Sequence, residues 1–496
     1  MMHGDSPGKG TVPGISRRRA LGLGAAGLGA AGLALAGCSG NGEDSDANAE
    51  EPAAETHTIE SVLAAAPFLV AHRGSWDNWP EHTMAAYQGA ADAGAVAIEI
   101  SVSATSDGKL VCHHDLDTLR TTGQKLVIKD TTYAELSELR VDARQWLGPN
   151  APLEKIPLLS DVLNALAATH VLFIEDKQGT NTTELLDLMD SYPNSREHLI
   201  WKQPALAGQV DAAAKRGYST WGYFTKDQLD QVPALHEQFT YLGIHHSVRD
   251  DELTAVVALG KPVICWEIHT RELRDRLLGL GVAGLMCANV PYLAADEPQE
   301  KSDRFADGLR AAGDLPWMVG LGWGFQPQIN ADTASLLMTE PANTSYRMGS
   351  MGPVQRDVFS IAFEMRWPDT LPADNTLHAG LAFGQELDLP YRVLIPGDSG
   401  GYHLVIRPTG EMTLLLRHPG EAGGLRLGMV ETAAAVAGEW MSFRLDLAPD
   451  GIRYSRLDGE GWAGMSPDRR YRGGYFSLCR NYAEATPVEF RAVKVS

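Results

Sequence analysis

Between His57 and about Asp296, short apolar runs alternate with longer stretches whose apolar residues recur at helical spacing. That alternation predicts parallel strands joined by crossover helices. The runs are Phe68–His72, Ala97–Ser101, Leu110–His114, Val171–Glu175, Leu199–Lys202, Thr220–Phe224, Tyr241–His245, Pro262–Trp266 and Leu285–Cys287. A span of about 240 residues suits a closed (β/α)8 barrel of the TIM type, which needs eight strands. One of the nine runs is therefore expected to be short or peripheral. Ser106-Asp107-Gly108-Lys109 is a tight-turn signal between the second and third runs, so that connection reads as hairpin-like rather than helical.

Beyond Pro316 the period changes. Phe359, Ile361, Phe363, Met365 and Trp367 alternate with Ser360, Ala362, Glu364 and Arg366, and Met441, Phe443, Leu445 and Leu447 repeat the alternation. Period two with one apolar face predicts half-buried strands. Pro408-Thr409-Gly410-Glu411, Pro449-Asp450-Gly451 and Asp458-Gly459 punctuate them at turn spacing, which argues for an all-β, jelly-roll-like sandwich of antiparallel strands. The boundaries read as a barrel over 57–297, a linker over 298–315 and a sandwich over 316–496. In pattern the sandwich resembles concanavalin-like or laminin-G-like domains. Trp317, Trp323, Trp440 and Trp462 are candidates for stacking on sugars of a cell-wall glycan, or for ordinary core.

The first 37 residues follow neither pattern. Ser16-Arg17-Arg18-Arg19-Ala20-Leu21 precedes a charge-free run of Ala, Gly and Leu that ends in Leu35-Ala36-Gly37-Cys38. The arginines resemble a twin-arginine export signal, and the last four residues resemble the lipobox at which a signal peptide is cut before a lipid-modified Cys38. At about 18 residues the run is also near the length of a membrane anchor, although its glycines and terminal cysteine favour a signal. Residues 38–56 are acidic and rich in Gly, Ser and Ala, as in a flexible tether. The expected location is outside the cytoplasmic membrane, lipid-anchored to its outer face.

A chain of 496 residues, 44% of them hydrophobic, has room for two such domains beside its processing segments. Its formal charge is −21; removing residues 1–37 takes away Lys9, Arg17, Arg18 and Arg19 against Asp5, a net +3, and leaves −24. Nucleic acid is excluded as a partner on that balance. A phosphodiester is repelled at long range as well, so a site for one has to be made positive locally. Cys112, Cys265, Cys287 and Cys479 show no metal-binding spacing, and three of them fall in apolar runs, which predicts buried free thiols.

The chemistry-bearing residues concentrate at the ends of the barrel runs. Ala71-His72-Arg73-Gly74 ends the first, Pro80-Glu81-His82-Thr83 follows, Glu99 ends the second and His113-His114-Asp115 the third. Glu175-Asp176-Lys177 closes the fourth. Strand ends of such a barrel share one face, where active sites are built, so His72, Glu99 and His114 are expected to converge. Glu175 and Lys177, two apart on a strand, point to the same side. Each admits a plainer reading: a structural histidine, a surface ion pair, an Arg73–Glu99 pair, a core Trp266.

In order and spacing, His-Arg-Gly, Pro-Glu-x-Thr, the second-strand Glu, Ser-Asp-Gly-Lys-Leu-Val-x-x-His-Asp, Leu-Arg-Thr-Thr, Lys-Ile-Pro-Leu-Leu and Glu-x-Lys resemble the glycerophosphodiester phosphodiesterase family. The resemblance covers about residues 67–180 closely and continues loosely to Pro291. It implies that His72 and His114 are the acid/base pair and that Arg73 and Lys177 hold the phosphate. It also implies that Glu99 and Glu175 bind a divalent cation, Mg²⁺ or Ca²⁺, and that Glu81 and Trp266 border the substrate pocket. The implied reaction is hydrolysis of a glycerophosphodiester, or of a glycerol-phosphate polymer, to glycerol 3-phosphate and an alcohol, with a glycerol hydroxyl as a possible first nucleophile.

Three departures bear on this. The family's second-strand motif is Glu-x-Asp, with the Asp as a metal ligand, whereas this chain has Glu99-Ile100-Ser101, so a neutral hydroxyl stands where a charged ligand is expected. The Thr-Asp of the last strand is replaced within Met286-Cys287-Ala288-Asn289, and His82 stands where Pro-Glu-x-Thr has Asn. These departures keep a rival open: a catalytically degenerate barrel that serves, with the sandwich, as a cell-wall or glycan-binding protein.

Overall fold

The computed structural model describes residues 56–315, 327–339, 345–352, 358–389, 391, 395–481 and 486–496. The export segment, Cys38, nearly all of the tether, Trp317 and Trp323 lie outside the described residues. No helix among the described residues is long and apolar enough to cross a membrane.

All nine runs form strands: β1 Phe68–Ala71, β2 Ala97–Ala104, β3 Leu110–Cys112, β4 Val171–Asp176, β5 Leu199–Pro204, β6 Ser219–Phe224, β7 Tyr241–His245, β8 Val263–Ile268 and β9 Gly284–Cys287. Eight pair in parallel in the order β1-β2-β4-β5-β6-β7-β8-β9, and β9 returns to β1, closing the barrel. The peripheral run is β3. It folds back antiparallel on the end of β2, with Val102 opposite Cys112 and Ala104 opposite Leu110. The turn is closed by Thr105 N–H on Lys109 O (2.9 Å) and by Gly108 at φ +72°, a conformation glycine adopts without penalty. The third run is thus no barrel strand. It reaches the barrel mouth from above, and His113 N–H donates to Ser101 O (2.9 Å).

Alternation along the strands sorts the side chains. Ile98, Ile100, Leu172, Ile174, Leu242 and Cys265 face outward into one cluster with the helices. Val70, Ala97, Phe173, Ile200, Trp221 and Ile264 point inward and fill the lower barrel. Continuing by twos along the inward rows leads from Ala97 to Glu99 and Ser101, from Phe173 to Glu175, and from Ile200 to Lys202. The interior therefore changes from apolar to charged within one layer, and the charged layer lies toward the carboxyl ends of the strands.

The C-terminal part is all-β among the described residues, apart from short 3₁₀ turns. One sheet runs Gln328–Asn330, Ser335–Met338, Val488–Val495, Phe359–Arg366, Met441–Ala448, Gly451–Arg456, Ala463–Ser466. The other runs Ser345–Arg347, Tyr475–Arg480, Ala379–Gln385, Gly401–Ile406, Glu411–Arg417, Leu425–Glu431. Phe359, Ile361, Phe363 and Met365 are buried while their neighbours are not, as the alternation predicts, and they share a core with Leu381, Phe383 and Leu404 of the opposite sheet. Residues 298–315 are held at both ends: Arg310 N–H donates to Leu147 O (2.8 Å), and Asp303 accepts from Val493 N–H. The four described cysteines are buried free thiols.

Candidate active site

The His-Arg-Gly and Pro-Glu-x-Thr motifs have local physical reasons. A Cβ on Gly74 would lie 2.7 Å from the Cβ of Ala86, so the loop after β1 packs against helix Met84–Asp92 only with glycine there. Thr83 caps that helix, accepting from Ala86 N–H (3.1 Å). Between them Arg73, Ser75 and His82 hold positive φ angles (51°, 66° and 54°), a strained backbone for residues with a Cβ. That strain turns the Arg73 N–H onto Glu99 Oε2 (2.9 Å) and packs its guanidinium over Trp76 (5.3 Å) and against Glu81 (3.3 Å). Arg73 therefore meets Glu99 through its backbone, and its buried Nε has no hydrogen-bond partner among the described residues.

Ser101 on β2, Glu175 on β4 and Lys202 on β5 are direct cross-strand neighbours at one level of the barrel. Glu99, one inward position lower, is fully buried, and Glu175 and Lys202 are 2% and 5% exposed. Lys202 Nζ donates to Glu99 Oε1 (2.9 Å) and to Glu175 Oε2, while Ser101 Oγ donates to Glu99 Oε1 (3.1 Å). Glu175 also accepts from Lys177 (3.1 Å) and from the Tyr223 hydroxyl (2.8 Å). Burial pushes the two carboxyls up, but Lys202 outweighs it and holds both below their usual range; burial likewise lowers Lys202, and the paired glutamates reverse the shift.

This arrangement does not fit the expected cation site. The family generally uses divalent cations, but here an ammonium stands between the two carboxylates and Ser101 spends its proton on one of them. Among the described residues no cluster of three or more His, Cys, Asp or Glu side chains is disposed to hold a metal. A divalent ion about 4 Å from the ammonium would be repelled by roughly 8 kcal/mol at an effective dielectric constant near 20. Of the residues expected at a Mg²⁺ or Ca²⁺ site, Glu99 and Glu175 both accept from Lys202, and Ser101 donates to Glu99.

His72 reaches this layer. His72, 6% exposed, has Nδ1 3.2 Å from Glu267 Oε1 and Nε2 4.0 Å from Glu99 Oε2. His114 is more open, with Nδ1 2.7 Å from Asp115 Oδ1, and it lies within electrostatic reach of Arg73 and Lys177. Burial lowers its pKa, partly opposed by Asp115, so its neutral form dominates at neutral pH. A carboxylate on Nδ1 orients each ring and leaves Nε2 for a substrate. His113 is structural, held by Asp115 O and Thr121. His82 is buried against the Tyr87 hydroxyl (2.8 Å), and burial drives its pKa well down.

The remaining expected residues play supporting parts in the geometry. Glu81 is gripped by both Arg120 nitrogens (2.6 and 2.8 Å) and by Arg73, which hold its pKa far below the usual range against burial. Trp266 sets its ring against Tyr223 (5.6 Å) and His245 (4.6 Å) and packs on the lower interior, so it belongs to both wall and core. Lys177, Gln178, Lys202, Gln203 and Tyr223 line a cavity of about 200 Å³ beside Glu175.

Sequence reasoning missed Lys202, Arg120, Glu267 and the buried pair behind Glu267, in which His269 Nδ1 meets Asp77 Oδ2 at 2.8 Å. Lys202 had a usable signal. It falls on the inward row of β5, level with Glu175. Glu267 was hidden because β8 continues to Ile268, past the expected end at Trp266.

Residues 72–198 match the model of the glycerophosphoryl diester phosphodiesterase family. Over 242 residues the chain is 25% identical to YhdW of Bacillus subtilis, covering 47% of this chain and 99% of that protein. It is 36% identical over 132 residues to a glycerophosphodiester phosphodiesterase of Caldanaerobacter subterraneus, covering 27% of this chain and 50% of the relative. Another, from Bacillus subtilis, is 34% identical over 139 residues, with 26% and 43% covered. Among solved structures, an Oleispira antarctica phosphodiesterase in complex with its product sn-glycerol-3-phosphate aligns with a TM-score of 0.41 at 22% identity, covering 47% of this chain and 97% of that one. The matched segment, residues 72–198, lies within the closed (β/α)8 barrel and is similar to the glycerophosphoryl diester phosphodiesterase family.

Proposed function

We propose that the barrel hydrolyses glycerophosphodiesters to sn-glycerol 3-phosphate and an alcohol. The observation that carries this reading is the pair of histidines, each oriented through Nδ1 by its own carboxylate, at a mouth furnished with Arg73 and Lys177. Arg73 and Lys177 hold the non-bridging phosphate oxygens. His114, neutral at working pH, takes the proton from a glycerol hydroxyl as that oxygen attacks phosphorus. His72, set between Glu267 and Glu99, gives its proton to the departing alkoxide as the phosphorus–oxygen bond breaks. Water then opens the cyclic phosphate with the two roles exchanged. No step is assigned to Mg²⁺ or Ca²⁺, because the carboxylates implied as ligands are closed on Lys202.

The intact set His72, Arg73, His114, Glu175 and Lys177 supports the hydrolase over the degenerate binding protein. Trp440 and Trp462 do not strengthen the rival, since arginines lie over both rings. The test is glycerol 3-phosphate release from glycerophosphocholine, glycerophosphoethanolamine and glycerophosphoglycerol, with His114→Ala beside the wild type. Release that disappears in the variant supports the reading, whereas no release from any diester under any ion moves it to the binding protein.

For location, the twin arginines and the Leu35–Cys38 lipobox support export and lipid anchoring at the outer face of the cytoplasmic membrane, near glycerol-phosphate polymers and wall glycan. Labelled fatty acid incorporated into the wild type and lost in Cys38→Ala is the expected result; incorporation surviving that change would count against the anchor.

A further inference from the structure

We propose that the Lys202 ammonium is the built-in cation of this site, standing where a divalent ion would otherwise bridge Glu99 and Glu175, so that the barrel binds and cleaves its diester without a metal. The inference rests on the hydrolase reading for its catalytic part, but not for its statement about metal binding.

Position comes first. Lys202 is placed by strand register, not by a flexible loop: it lies opposite Glu175, which lies opposite Ser101, and all three face the barrel interior. Its Nζ contacts a carboxylate oxygen of both Glu99 and Glu175, the two groups that a bridging ion would need. Its Nζ also lies over the rings of Trp221 and Tyr223, at 5.7 and 5.2 Å, and the side chain is buried. The charge balance agrees. Glu99 and Glu175 face the ammoniums of Lys202 and Lys177, so the four are formally neutral together, and Ser101 adds no charge; a third carboxylate there would suit a divalent ion and exceed what these lysines balance. The departure at Ser101 and the lysine at 202 thus read as one change rather than as a damaged metal site.

An ammonium carries three N–H bonds. Two are committed to Glu99 and Glu175, and the third is available to the cavity that Lys202 shares with Lys177 and Gln203. There it can meet a non-bridging phosphate oxygen, the partner a metal would take, while its carboxylate contacts keep Glu99 on the Arg73 backbone and near His72. A fixed, water-poor charge aimed at the phosphate acts without reorganisation at the moment of reaction.

The experiment uses the full chain, stripped with EDTA. Calorimetric titration with Ca²⁺ and with Mg²⁺ alone is expected to show no saturable site in the wild type and one site in the double variant Ser101→Asp with Lys202→Ala. Glycerol 3-phosphate release is expected to be insensitive to EDTA in the wild type and to fall on the order of a hundredfold in Lys202→Ala, with partial retention in Lys202→Arg. One equivalent of Ca²⁺ or Mg²⁺ bound by the wild type, or a rate abolished by EDTA and restored by either ion, overturns the proposal. If the wild type cleaves no diester, the hydrolase reading falls, and the wild-type titration alone still decides whether Lys202 has displaced the metal.

Discussion

The barrel mouth and the sandwich core solve burial in opposite ways. At the mouth, Glu81, Glu99, Glu175 and Lys202 are all nearly inaccessible, and each is paired with an opposite charge. In the sandwich, the centre is Phe363, Met365, Leu381, Leu404 and Phe443, and buried charge is dispersed: Asp314, Arg347 and Asp388 lie where the domain meets the barrel, while Arg417, Arg456, Arg480 and Glu489 lie on separate strands. Desolvated ion pairs are weak contributors to stability and expensive to break. Their concentration in one layer at the mouth is therefore a mark of chemistry, whereas in the sandwich they are spread singly over the strands and only some mark the joint with the barrel.

The largest expected effect breaks the chemistry and spares the fold. His114 is partly open, and its contact is with the neighbouring Asp115. His114→Ala should lower kcat by on the order of a thousandfold, within the range of acid–base catalysis, and leave the melting temperature almost unchanged. A variant that melts early would instead place His114 among the structural histidines.

Next in size is a pH effect from the network behind His72. Burial works against charge on His269, but Asp77 and Glu267 outweigh it and hold the pKa up at about 9. A raised pKa means that its stabilisation is complete below the ordinary value near 6.5 and is lost as pH rises through about 9. The amount at stake is roughly 3 kcal/mol for a shift of this size. Wild-type stability should fall between pH 7 and 9, and Asp77→Asn should flatten that fall. Equal slopes in denaturant titrations of the two proteins would remove His269 as the cause.

The two regions were not equally legible in the sequence. Period-two alternation over Phe359–Met365 reports its own burial, since each residue's face is set by its own strand. The barrel strands were visible for the same reason, and the Ser106–Lys109 turn even marked β3 as different. The site was legible only in part. His72, Arg73, Glu99, His114, Glu175 and Lys177 stand in motifs, but the meeting of Lys202 with Glu99 spans 103 positions and depends on strand order. Asp388 is a similar case: nothing near it in sequence announces that its carboxylate serves a barrel helix 116 residues away.

That carboxylate gives the third effect. Asp388 Oδ2 accepts from the Arg271 backbone N–H (2.6 Å) and the Tyr292 hydroxyl (2.8 Å), and Oδ1 accepts from Glu272 N–H (3.0 Å). It thus caps helix Arg271–Gly279 from the other domain, where an anion is favoured by the helix dipole. Asp388→Ala strands buried donors and should cost about 1–3 kcal/mol, with faster amide exchange at Arg271 and Glu272 and an unchanged rate of diester cleavage. Exchange that speeds up equally across both domains would show global destabilisation rather than a lost joint.

The smallest effect tests the sandwich surface. Arg366 and Arg491 lie over the Trp440 ring at 4.5 and 3.9 Å, and each is also paired, with Glu489 and Glu364. Their cation–π contact is partly exposed, so Arg491→Ala should cost only about 0.5–1 kcal/mol. Its value lies in the second readout. Removing one guanidinium uncovers aromatic surface, and if Trp440 is a sugar platform screened by arginine, the variant should gain affinity for soluble wall glycan, read as a change in Trp440 fluorescence. A small loss of stability with no gain in binding would make Trp440 a structural clamp between the strands that bear Arg366 and Arg491, and would leave the barrel mouth as the region where this molecule's chemistry is concentrated.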